Sequence, residues 1–182
     1  MNGFLAVDIC SCRGEFVVEV PSMNDKEFFY LVQKHFGYLV SDQGFKVVQR
    51  ETFRYFNNAQ VVFQSENCRI RVLVDRDEVY VDAAPLPPME HCWIDLDTLI
   101  AFLKNDDLDN TYDIEIPRQK DRIAGLEAQI QQLAALLLDH CSQICSLFSR
   151  EASERLCTKL KEFGLQRLEK QAKLRWPNSV DF

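Results

Sequence analysis

The stretch from Phe56 to Ala84, "FNNAQVVFQSENCRIRVLVDRDEVYVDAA", constrains the fold more than any other part of the chain. Apolar and polar residues alternate there in short runs separated by polar turns, the pattern of half-buried strands. Ile70, Val72, Val74, Val79 and Val81 fall on one face, and Arg69, Arg71, Asp75, Glu78, Tyr80 and Asp82 on the other. Val61 and Phe63 share a face on the strand before. Short connections of this kind, "SEN" and "DRDE", predict an antiparallel meander with one face covered and the other solvated.

Other elements attach to that meander. Asn24 and Glu27 form a capping-box-like pair ahead of Phe28, Leu31, Val32 and either His35 or Phe36, which predicts a helix ended at Gly37. "FKVVQRETFRYF" (Phe45–Phe56) reads as a long strand whose alternation slips between Val47 and Val48, the mark of a bulge. "EFVVEV" (Glu15–Val20) is a weaker strand candidate, and Leu96, Leu99, Ile100 and Leu103 a short amphipathic helix. An acidic connector leads to Pro117.

From Arg118 to Phe148 there is no Pro and only one Gly. Ile123, Leu126, Ile130, Leu133 and Leu137 continue to Ile144 and Leu147 with 3–4 spacing, and His140 takes one seam position. That is a heptad stripe. It predicts intramolecular packing, with self-association as a coiled-coil homodimer the alternative. Ser149 is a candidate cap for a second helix with Leu156, Leu160, Phe163 and Leu168 on its stripe; Gly164 is a place for it to bend. The expected fold is α+β: a four- or five-stranded antiparallel meander with helices on one face (1–116), followed by a C-terminal helical hairpin (117–182) packed on it or self-associating.

The chain carries 28 acidic and 21 basic residues, a net charge of −7, and no Lys/Arg run. A nucleic-acid-binding surface needs a basic excess, so nucleic acid is not an expected partner. The apolar run Leu133–Leu138 is far below the ~20 residues that span a bilayer, and the N-terminus lacks a signal-peptide pattern, so a cytoplasmic, membrane-free protein is expected. The seven Cys are then expected to be reduced thiols.

Chemistry is sparse. Cys10 and Cys12 are too close for a zinc knuckle, and Cys141 and Cys145, one helical turn apart, simply continue an apolar face. No phosphate loop and no hydrolase or metalloprotease motif occurs. His91 beside Cys92 is the one Cys–His neighbour pair outside the helical tract. No metal, cofactor or catalytic residue is expected.

"FFYLVQKHFGYLVSDQGFKVV" (Phe28–Val48) followed by "VVFQSENCRIRVLVDRDEVYV" (Val61–Val81) resembles a set of small uncharacterised bacterial cytoplasmic proteins, some of them similar to toxin-neutralising immunity proteins. The resemblance covers Phe28 to Leu103 and rests on hydrophobic layout. It implies a protein that works by binding, and it transfers no catalytic residue. The expectation is a non-enzymatic protein-binding module, immunity-like or a regulatory adaptor. Arg69, Arg71, Glu78, Tyr80 and Asp82 would face another protein, basic to match the acidic chain. The alternatives are an oligomerisation protein working through Ile123, Leu126, Ile130, Leu133 and Leu137, and a thiol- or metal-dependent enzyme using His91, Cys92, Cys141 and Cys145.

Overall fold

A computed structural model describes residues 25–53, 58–86, 92–104, 122–150 and 154–175. The expected strand at 15–20, the cap at Asn24, the connector to Pro117, Cys10, Cys12 and His91 lie outside the described residues. The order is α1 (Asp25–Phe36), α2 (Tyr38–Ser41), β1 (Lys46–Phe53), β2 (Asn58–Gln64), β3 (Cys68–Asp75), β4 (Glu78–Pro85), β5 (Ile94–Asp95), α3 (Leu96–Lys104), α4 (Arg122–Arg150) and α5 (Glu154–Arg175). The fold is α+β, and the five strands among the described residues pair antiparallel in sequence order.

The register follows the alternation. Ala59, Val61 and Phe63 stand across from Val74, Val72 and Ile70, and Val72 and Val74 across from Val81 and Val79. All are buried, against α1, α3 and α4. Burying a Val or Ile side chain stabilises by roughly 1.5–3 kcal/mol, so this face fixes the register: a one-residue slip would expose it all. The pairing of β1 shifts between Val47 and Gln49, where the alternation slips. Among the described helices only α2 makes more than weak contact with β1, which is exposed along its length. Gly44, at φ +72°, supplies the left-handed turn that leads into β1. Gly37 ends α1 differently: its φ of −57° is ordinary, but a Cβ there would sit 2.6 Å from the Gln33 carbonyl oxygen.

The stripe on α4 departs from the heptad expectation. The buried apolar residues are Leu126, Ile130, Leu133, Ala134, Leu137, Cys141, Ile144 and Phe148. Leu126, Leu137 and Phe148 recur every eleven residues, while Ile130, Leu137 and Ile144 keep the expected seven. An eleven-residue repeat, 3.67 residues per turn, keeps its stripe facing one way without a left-handed supercoil. α4 therefore lies on β4 and α1 as a covering helix. Cys141 and Phe148 take the places expected for His140 and Leu147, and Ile123 is 44% exposed.

Ser149 does not cap a second helix. It belongs to the last turn of α4, where its hydroxyl donates to the Ser146 carbonyl at 2.9 Å. α5 packs on α3: Phe102 meets Phe163 edge-on at 5.5 Å, and Arg167, 3% exposed, pairs with Asp97 at 2.9 Å. Gly164 does not interrupt α5; a Cβ there would lie 3.4 Å from Thr98. Cys92 and Cys157 form a disulfide that joins the approach to β5 to α5, which corrects the expectation of reduced thiols for these two.

Candidate functional site

The meander's charged face carries two cross-strand rows. Gln64, Arg69 and Ala84 form one, and Trp93, one residue before Ile94, falls beside Ala84. Val62, Arg71, Asp82 and Asp95 form the other. Both arginines reach across β4 to the same indole: the Arg69 and Arg71 guanidinium carbons lie 5.1 and 4.5 Å from the centre of the Trp93 ring. Cation–π contacts of this kind contribute about 0.5–2 kcal/mol each, more as water is excluded. Ala84 permits the crossing because a methyl group leaves room above β4.

Arg71 also donates from Nε and Nη2 to Asp82 Oδ2, at 3.0 and 2.6 Å. Burial raises the Asp82 carboxyl above its usual range, against the opposing pull of Arg71. Arg69 Nε and Nη2 are buried and find no acceptor among the described residues. The face is thus less solvated than alternation alone predicts: Val62 is 2% exposed and Ala84 is fully buried. Tyr80 remains 42% exposed, its hydroxyl donating to Glu78. That bond raises the Tyr80 phenol to about 12.

All five expected partner-binding residues, Arg69, Arg71, Glu78, Tyr80 and Asp82, therefore lie on one face. Sequence reasoning missed Trp93, because a single Trp after a proline-rich turn carries no strand pattern. Of the five expected oligomerisation residues, Leu126, Ile130, Leu133 and Leu137 are buried in the chain's own core, and only Ile123 is exposed.

Of the enzyme candidates, His91 lies outside the described residues, Cys141 and Cys145 are neighbours on α4, and Cys92 is apart from them. Cys92 is bound to Cys157 and is no free thiol. The His140 ring contacts Gln143, and His35 contacts Glu127. Cys68, Cys141 and Cys145 are free, and Cys68 Sγ lies 3.3 Å from Cys145 Sγ. Zinc bound at about 2.3 Å would hold two tetrahedral sulfurs about 3.8 Å apart, wider than this pair. Among the described residues no group of three or more His, Cys, Asp and Glu is arranged to hold a metal ion, and no helix is long and apolar enough to cross a membrane.

Comparison with protein-family profiles, with characterised proteins and with solved structures finds no match to this chain.

Proposed function

We propose that this protein is a non-enzymatic protein-binding module that uses the outer face of its sheet to occlude a basic surface on another protein, as an immunity-like or regulatory adaptor would. The observation that carries this reading is the pair of arginines on Trp93 beside the exposed Tyr80. Trp, Tyr and Arg are the residue types that dominate binding hot spots, and here both arginines already contact the indole without a partner. The face sets four carboxylates (Asp75, Glu78, Asp82, Asp95) against two guanidiniums (Arg69, Arg71), and the whole chain is acidic. Such a surface speeds encounter with a positive one and makes association salt-sensitive.

The test is affinity capture with wild-type bait beside Tyr80→Ala/Glu78→Lys bait, followed by titration calorimetry with the purified candidate. A basic protein bound at least tenfold more weakly by the double variant, and more weakly in high salt, supports the reading. Equal capture by both baits sinks it.

A homodimer has its own support. Among the described residues β1 is the edge strand of the sheet and is exposed along its length, with Val48 and Phe53 on it, and such edges invite pairing with a second copy. Sedimentation decides: a dimer that dissociates in Val48→Lys places self-association at β1 instead of along α4.

A further inference from the structure

Three free thiols converge where the start of β3 meets α4. Cys68 and Cys145 touch at 3.3 Å, and Cys141 lies one turn before Cys145 on the same helix. Cys68 and Cys141 are buried, while Cys145 is only half-buried. Ser65 Oγ approaches Cys68 Sγ at 3.7 Å, and its hydroxyl accepts the Cys68 backbone N–H at 3.2 Å. The β2–β3 turn thereby holds Cys68 in place beneath α4.

The trio is electrostatically unequal. Hydrogen bonds from Cys141 and then Cys68 favour the thiolate at Cys145 and hold it well below the usual thiol range. Cys68 and Cys141, which supply those hydrogen bonds from buried positions, are pushed far up. The thiolate is thus favoured at the half-buried member of the trio. Buried structural cysteines are ordinarily inert; a half-buried thiolate with a second thiol in contact has the layout of an oxidisable pair.

We propose that Cys145 and Cys68 are a peroxide-reactive dithiol, Cys145 the attacking sulfur and Cys68 the resolving one. The Cys145 thiolate attacks one oxygen of a hydroperoxide and the O–O bond breaks. The other oxygen leaves as hydroxide and takes up a proton, giving water (or an alcohol) and a sulfenic acid at Cys145. Cys68 then gives up its proton and attacks the sulfenic sulfur. The sulfur–oxygen bond breaks, a second water leaves, and a Cys68–Cys145 disulfide remains. Two thiols are oxidised by two electrons and one hydroperoxide is reduced. Closing from 3.3 Å to the ~2.05 Å of a disulfide takes about 1.3 Å of sulfur movement, within reach of side-chain rotation. The product ties β3 to α4 across 77 residues of sequence.

The experiment treats the purified full chain with stoichiometric hydrogen peroxide and maps unreduced peptides. The expected result is a mass loss of about 2 Da, two hydrogens lost to one new disulfide, with the Cys68 and Cys145 peptides joined. Cys145→Ser slows peroxide consumption at least tenfold. Cys68→Ser leaves a sulfenic acid at Cys145 that dimedone traps, and Cys141→Ser still forms the bond. Iodoacetamide labelling of the native wild-type chain at pH 6 keeps the test independent of how the variants fold: Cys145 labels at least tenfold faster than Cys141. Equal labelling of the two, a bond that maps elsewhere, or unchanged peroxide consumption in Cys145→Ser overturns the proposal.

Discussion

Gln129 of α4 accepts the backbone N–H of Val79 on its side-chain oxygen at 3.0 Å. The same amide donates from Nε2 to the Asp77 carbonyl at 3.2 Å. Val79 stands across from Val74, next to the Asp75–Glu78 pair that closes the turn, so its N–H points away from β3. β5 pairs only with Asp82 and Ala83 and does not reach it. Gln129 fills the place of a missing strand.

Gln129→Leu keeps the volume and strands a buried N–H, so it is expected to destabilise by about 2 kcal/mol. Urea unfolding measures this. A loss of a few tenths of a kcal/mol would mean that water replaces the amide.

Reducing the Cys92–Cys157 disulfide releases a constraint across 65 residues of sequence. Loop-closure entropy puts the loss at about 4 kcal/mol. The Cys92→Ser/Cys157→Ser variant should show it as a lower unfolding midpoint in urea, and reductant should leave that variant's midpoint unchanged.

Arg167→Met removes the partner of Asp97, which keeps some contact with water. The expected cost is about 2 kcal/mol, below the ~3–5 of a wholly buried pair. Asp97→Asn added to Arg167→Met should recover part of it, and a double-mutant cycle measures how much.

Glu127 accepts from Lys34 at 2.6 Å and contacts the His35 ring at 3.2 Å, joining α1 to α4. The Lys34 hydrogen bond, then that of His35, lowers its carboxyl below the ordinary 4.5. A depressed carboxyl contributes stability that is complete above 4.5 and is lost as pH falls through the folded value. Lys34 is raised above 10.5 by the same contact, so its share is present below that pH and is lost above it. Glu127→Gln should flatten both limbs of a stability–pH curve; a curve identical to wild type refutes the link.

Ala84→Leu should separate Arg69 from Trp93, because the larger side chain occupies the space over β4 that the arginine crosses. A loss of about 1–3 kcal/mol is expected from overpacking, together with altered tryptophan emission. Unchanged emission would show that the stacking does not depend on this crossing.

Much of the fold was legible. The β-branched alternation from Val61 to Val81 set both register and buried face, because period two admits one answer when one face is apolar. The slip at Val47–Val48 marked the β1 irregularity. The α4 stripe was legible as a buried face, but its period was not: heptad and eleven-residue readings share Leu126, Ile130, Leu133 and Leu137 and part only at Cys141 and Phe148. The charged side of the candidate site was visible as alternating residues, yet its organising ring was not. Trp93 acquires its role only when Ile94 pairs with Ala83, a contact that no local pattern encodes. The pairing of Cys92 with Cys157 and the meeting of Cys68 with Cys145 are likewise long-range.

The Cys92–Cys157 bond makes the chain between them a closed ring, with α3 and α4 on its circumference. A protease that nicks it once between Cys92 and Cys157 opens the ring without releasing either piece. The cut protein would run as a single band on a non-reducing gel and as two once reduced.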